Sequence, residues 1–330
     1  MMSRFYTKVI ILCIPFIVAL GLYFYFDPFM VLRTYPRYDQ SDVFINENLI
    51  GWKIYQKYKK IKHFNSFIMG NSCTQAFKCK EWEKYLKPGS HAMRFFDNQE
   101  TIGGFYKKLL ALDKDNTDIK NILLVMDWDS FSRATSYPGN LHIMPPEADP
   151  DQNRIIYQLK HIQTFFYPDF IFPFMIHKWN PKYCKRGVVH NFKCIRDSVN
   201  NDAINPNDKL IASEGEMYWR KQKKMFETRK EYIVPPVINK DVTDELKKIQ
   251  SICLRHHTQF NIVIGPNFKL KKINPIDLNI LRTYFGTFSV HDFSGLNNMT
   301  RDYHNYYDKS HYRPNIGNEI MKAIYRQNQN

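Results

Sequence analysis

Residues 66–74 read Ser66-Phe67-Ile68-Met69-Gly70-Asn71-Ser72-Cys73-Thr74. Successive apolar residues closed by a glycine predict a short strand buried on both faces, ending at Gly70. Helical character follows from Ser72 to Leu86, so the chain passes from strand to helix at that serine. Four more runs share the texture of the first: His91–Phe96, Asn121–Asp127, Asn261–Pro266 and Phe288–Phe293. Between and after them, Glu100–Leu112, Val242–His256, Pro275–Phe285 and Pro314–Arg326 carry apolar residues near a 3.6 spacing, several behind an N-cap or proline signal. Strand alternating with helix predicts an α/β fold built on a five-stranded parallel sheet covered on both faces. Its ligand site is expected beyond the carboxyl ends of the strands. One further helix, Asn46–Lys62, is expected ahead of the first strand.

The chain has 330 residues, 44% of them hydrophobic and 24% charged, which suits one large domain with a packed core and argues against a disordered chain. Val9–Phe26 holds 18 residues without a charge, enough to cross a hydrocarbon core of ~30 Å as a helix. A single transmembrane anchor is expected here. A cleaved signal peptide is the other reading, with Arg4 and Lys8 as its basic region, but the apolar run continues through Tyr23, Phe24, Tyr25 and Phe26 beyond any small-residue site. The short N-terminal tail is the easier side to leave in the cytoplasm, so the soluble part is expected outside it, periplasmic or at the cell surface, an expectation that rests equally on the family resemblance given below. Residues 1–27 read as the anchor, 28–64 as a linker and leading helix, and 65–330 as the α/β domain.

The net charge of +15 is spread over several clusters, such as Lys57, Lys59, Lys60 and Lys62, that read as solvated or headgroup-facing surface. No nucleic-acid motif accompanies them, so no nucleic-acid partner is expected. The six cysteines form neither a C-x-x-C pair nor a cluster at zinc spacing, and no metal or cofactor is expected. Cys184 and Cys194 flank a short stretch and are candidates to pair in an oxidising compartment. An insertion at about 130–240, rich in proline and aromatics, is too long for a plain loop and is expected to fold as helices and turns over the active edge of the sheet. Whether it touches substrate or only elaborates the fold stays open.

Ser72, placed at the carboxyl end of a strand and the start of a helix, has its hydroxyl exposed to the ligand edge and its N–H where a developing oxyanion is stabilised. Near the other end of the chain stands Tyr307-Asp308-Lys309-Ser310-His311-Tyr312, just before the last helix. An Asp three residues before a His lets the carboxylate orient the imidazole while its other nitrogen takes the serine proton. Cys73 beside Ser72 points elsewhere and is not expected to be the nucleophile. Together, Gly-x-Ser after the first strand and Asp-x-x-His before the last helix resemble the SGNH (GDSL-like) hydrolase superfamily. The phrase from Tyr306 to Ile320 is most similar to its membrane-anchored branch, which includes proteins of alginate O-acetylation and of D-alanine transfer to teichoic acids. The resemblance covers the framework from about Asn65 to Tyr325 and leaves out the insertion. It implies a flavodoxin-like three-layer α/β/α fold and a triad of Ser72, His311 and Asp308.

The sequence departs from that family in two places. The oxyanion-hole glycine would fall at Gly103 or Gly104, with Gly103 taken as the candidate, and helix packing explains it equally well. The usual Gly-x-Asn-Asp block is replaced by Asp127-Trp128-Asp129-Ser130, and an ionised Asp cannot donate as Asn does. Asp127 and Asp129 are therefore candidates for substrate binding. The expected function is a membrane-anchored serine esterase or O-acyltransferase acting on envelope polysaccharide or another acylated glycan. Its expected partners are the lipid bilayer and a polytopic membrane acyltransferase that this chain does not encode. The alternative is an inactive protein of the same fold that binds glycan or assembles with such an acyltransferase.

Overall fold

The computed structural model describes residues 2–38, 40–185, 187–189 and 196–326. In chain order the strands are β1 (Ser66–Gly70), β2 (Ala92–Phe96), β3 (Asn121–Met126), β4 (Tyr232–Ile233), β5 (Gln259–Ile264), β6 (Lys271–Lys272) and β7 (Val290–Asp292). Five of them form one parallel sheet in the order β2-β1-β3-β5-β7, and β4 pairs with β6 in a separate two-stranded ribbon. Every residue of β1, β2 and β3 is buried, in keeping with their largely apolar composition. Because all five strands run the same way, the residues after Gly70, Phe96, Met126, Ile264 and Asp292 emerge at one edge of the sheet.

The main helices are α1 (Met2–Phe26), α2 (Glu47–Lys62), α3 (Cys79–Glu83), α4 (Ile102–Lys114), α5 (Arg154–Phe166), α6 (Pro168–Trp179), α7 (Asn207–Glu214), α8 (Glu216–Arg220), α9 (Lys240–Arg255), α10 (Pro275–Phe285), α11 (Asn298–Arg301) and α12 (Pro314–Arg326). Their starts follow local chemistry. Thr101 caps α4 by accepting the Gly104 N–H, Asn239 caps α9 through Val242, and Asn274 caps α10 just ahead of Pro275. The helical segment expected from Ser72 to Leu86 is split instead. A 3₁₀ turn over Ser72–Ala76 gives way to extended backbone at Phe77 and Lys78 before α3 begins. β7 is likewise shorter than its apolar run, because Thr287–Ser289 is taken up by a 3₁₀ turn.

The chain divides into two compact units. One comprises residues 1–46, 139–141 and 145–194; the other holds residues 47–138, 142–144 and 195–330, including the whole sheet. Within the first, one N-terminal helix, spanning Lys8–Phe26, is long and apolar enough to cross a membrane. The Cys184–Cys194 pairing falls on Cys194, which lies outside the described residues.

Gly70 sits at the hinge between strand and site. Its φ is +131°, and a Cβ there would stand 1.8 Å from the carbonyl oxygen of Val125 on the adjacent strand. Gly70→Ala is expected to destabilise the sheet-bearing unit by about 3 kcal/mol or more, combining backbone strain with a backbone clash. Thermal unfolding followed by circular dichroism checks this; an unchanged midpoint would show that the strand end relaxes freely.

Candidate active site

The turn after β1 is organised by Asn71. Its side-chain oxygen accepts the N–H of Cys73 at 2.9 Å, and its own N–H donates to Val125 O at 3.1 Å, tying the turn to β3. Thr74 donates from both its N–H and its hydroxyl to Asn71 O, at 3.1 and 2.7 Å. Ser72 therefore opens a 3₁₀ turn with its N–H free of any acceptor inside that turn, and it is half-buried where its neighbours Asn71 and Cys73 are buried.

The loop before α12 is closed on itself. Tyr306 and Tyr312 face each other in an antiparallel bridge, and the Tyr307 N–H donates to His311 O at 2.9 Å. Asp308 accepts the N–H groups of Ser310 and His311 at 2.7 and 3.0 Å, and its two oxygens stand 3.1 and 3.0 Å from His311 Nδ1. Burial pushes the Asp308 carboxyl up, but the hydrogen bond and charge of His311, together with those two N–H groups, outweigh it and hold the carboxyl below its ordinary range. Asp308 thus stays ionised through mildly acidic pH.

These two pieces meet. Ser72 Oγ lies 2.9 Å from His311 Nε2, across 239 residues of sequence. The approach is made possible by α12, which packs against the Ser72 turn: at Gly317 an added Cβ would lie 2.2 Å from Ala76 O. Cys73, the neighbouring residue, is buried, and its thiol donates to Ser310 O at 3.4 Å. Burial first, then the carboxylates of Asp127, Asp308 and Asp129, push that thiol well above its ordinary value. Thiolate chemistry there is suppressed.

Asp127 stands just ahead of the turn after β3 without a side-chain capping bond, and its Oδ2 accepts from Asn71 Nδ2 at 3.1 Å. Burial, followed by the charge of Asp129, raises its carboxyl to about 6 against the opposing pull of Asn71, His311 and Lys271. Asp129 is exposed. Trp128 between them lies under the Lys271 ammonium, 4.8 Å from its ring centre. Gly103 does not have the role expected of it. Its N–H donates to Arg133 O at 3.3 Å, and a Cβ there would stand 2.0 Å from Ala134 O, so the glycine serves close packing of α4 against that segment.

Several supports of the site were not among the residues expected from sequence. Trp219 Nε1 donates to Tyr306 O at 2.9 Å, Tyr218 OH to Tyr307 O at 2.8 Å, and Gln222 Nε2 to the same oxygen at 3.0 Å. Tyr307 OH donates to Asp208 at 2.6 Å, and Lys309 pairs with Glu227 at 2.6 Å. The later part of the insertion, through α7 and α8, is thus the brace of the loop that carries Asp308 and His311. Trp219 is buried in one core cluster with Tyr306, Tyr307 and Tyr312, the rings that the loop itself turns inward. Comparison with protein-family models, with curated proteins and with solved structures returned no match.

Proposed function

We propose that this chain is a membrane-anchored serine esterase or O-acyltransferase of the SGNH type, acting on an acylated envelope polysaccharide outside the cytoplasm. The observation that carries the reading is the continuous link Ser72 Oγ, His311 Nε2, His311 Nδ1, Asp308, whose ends come from opposite parts of the chain. The strand order also supports it: counting only the sheet strands, the sequence is second-first-third-fourth-fifth, the flavodoxin-like order of a three-layer α/β/α domain.

In this reading Ser72 Oγ attacks the acyl carbonyl as His311 Nε2 takes its proton, and Asp308 holds the imidazolium through Nδ1. The oxyanion forms over the Ser72 N–H. Collapse of the tetrahedral intermediate breaks the ester bond, and His311 returns its proton to the leaving alcohol. Water or a sugar hydroxyl then attacks the acyl-serine, with His311 again removing the proton, and Ser72 is regenerated. Release or transfer of acetate from acetylated oligosaccharides by the full-length protein in detergent micelles tests the proposal; its absence, together with inertness to p-nitrophenyl acetate, would overturn it.

Asp127 carries the most specific consequence. Above about pH 6 it is a carboxylate near a site that must accommodate a new negative charge, whereas below that pH it is a neutral acid able to donate a hydrogen bond. Asp127→Asn supplies a neutral donor at every pH. It is expected to raise kcat at pH 8 about tenfold, a fraction of the ~10²–10³ that one oxyanion donor is worth, with a much smaller gain near pH 5. Rate–pH profiles of both proteins check this. A loss of rate at pH 8 would instead assign Asp127 to binding substrate. The same acidic pair, Asp127 and Asp129, is what favours the second reading, a glycan-binding protein that keeps the fold without turnover.

A further inference from the structure

The insertion begins with two helices that look unlike the rest of its surface. On α5 the outward side chains Ile155, Leu159, Ile162 and Phe166 recur at i, i+4, i+7 and i+11, with Ile155 70% and Leu159 56% exposed. On α6, Phe172, Ile176 and Trp179 recur at i, i+4 and i+7, exposed by 65%, 47% and 93%. The opposite faces, with Phe165, Phe170 and Phe174, are buried. Each helix thus carries an exposed apolar stripe in addition to its buried face, with the polar residues of α5 (Arg154, Gln158, Lys160 and Gln163) set beside the stripe, and such a stripe belongs to a non-aqueous surround rather than to a water-facing surface.

Their neighbour within the same compact unit identifies that surround. Phe166 stacks on Phe16 of α1 with ring centres 6.2 Å apart, Phe165 meets Tyr23 at 5.5 Å, and Phe174 meets Phe26 at 5.6 Å. Phe16 lies ten residues before Phe26, about 15 Å along a helix axis and so well inside a hydrocarbon layer of ~30 Å. A ring packed on Phe16 is carried below headgroup level with it. The charged residues of α6 are paired, Lys178 with Asp42 at 2.6 Å and Asp169 with Lys185 at 3.3 Å, and α5 adds Arg154 at its first position and Lys160, whose long stem lets its ammonium reach toward the headgroups. Arg33 donates to the carbonyls of Phe24 and Tyr25 at the helix end, where the polar zone begins.

We infer that α5 and α6 are embedded in the bilayer leaflet reached by the C-terminal end of α1, with the outward stripes of both helices in contact with acyl chains. The chain then holds its membrane by a span and a leaflet-inserted hairpin together, and the insertion that braces the catalytic loop farther on is fixed to the lipid surface at its start. The inference rests on the reading of α1 as a membrane span.

The test uses the full chain in lipid nanodiscs containing dibrominated acyl chains, which quench tryptophan by contact. With Trp179→Phe as the parent, Ile17→Trp reports the span, and Leu159→Trp and Phe172→Trp report the two stripes. The expected result is loss of the added emission at residues 159 and 172 comparable with that at residue 17, and loss of quenchable emission on going from the wild type to Trp179→Phe. Quenching at 17 with red-shifted, unquenched emission at 159 and 172 would overturn the embedded hairpin and leave the anchor intact. Blue-shifted but unquenched emission at 159 and 172 would assign the stripes to a second copy of the chain, also overturning it. No quenching at 17 would remove the span and the inference with it. Two stripe positions guard against one variant failing to fold.

Discussion

Ser72→Ala is expected to lower kcat for ester cleavage on the order of 10⁴-fold or more while leaving the fold in place. In the proposed mechanism the hydroxyl is the atom that forms the acyl-enzyme, and without it only the oxyanion donor and binding would contribute, sustaining a small residual rate over water. The structural cost is small, because Ser72 Oγ makes one contact of note, at 2.9 Å to His311 Nε2, and the turn is held instead by Asn71 and Thr74. Steady-state hydrolysis of p-nitrophenyl acetate, read beside far-ultraviolet circular dichroism, separates the two effects. A variant that keeps its fold and more than a tenth of its rate would remove Ser72 from the chemistry.

His311→Ala is expected to cost a similar factor, also on the order of 10⁴ or more, because base and nucleophile act as a unit and their losses do not add. It carries a distinguishing signature. The imidazole fills a gap between Ser72 and Asp308, so free imidazole added to the variant is expected to restore part of the rate in proportion to its concentration. The double variant Ser72→Ala/His311→Ala is expected to be no slower than either single one. Additive losses would mean that the two side chains serve separate purposes in spite of their contact.

The sheet was legible because its strands are buried at nearly every position, and a buried parallel strand leaves a near-continuous apolar run, interrupted in β2 only by the buried Arg94. Boundaries were less so. β5 starts at Gln259, two residues before the apolar stretch, because ladder pairing with β3 extends to a polar residue that no pattern marks. The β4–β6 ribbon was invisible, since two exposed residues against two lysines carry no periodicity.

At the site, Ser72, Asp308 and His311 could be picked out because the chemistry requires those residue types at a strand end and in one loop. Their supports could not. Trp219 reads as one more aromatic in a proline-rich insertion, and only the fold brings its ring nitrogen to Tyr306, 87 residues away. Gly317 reads as an unfavourable glycine in a helix; its reason is the backbone of Ala76 lying where a Cβ would go. Which of the two readings of Gly103 holds was undecidable for the same reason. A backbone N–H is identical in every residue, and whether it faces a substrate or, as here, Arg133 O depends on packing that sequence does not encode locally.

Whether Ser72 is an activated nucleophile is tested most directly by incubating the full-length protein with a fluorophosphonate and measuring intact mass, followed by peptide mapping. The expected result is a single adduct on Ser72, absent from both Ser72→Ala and His311→Ala. A folded protein that takes up no label at any pH, or takes it up on another residue, would contradict an acyl-transfer role for this site.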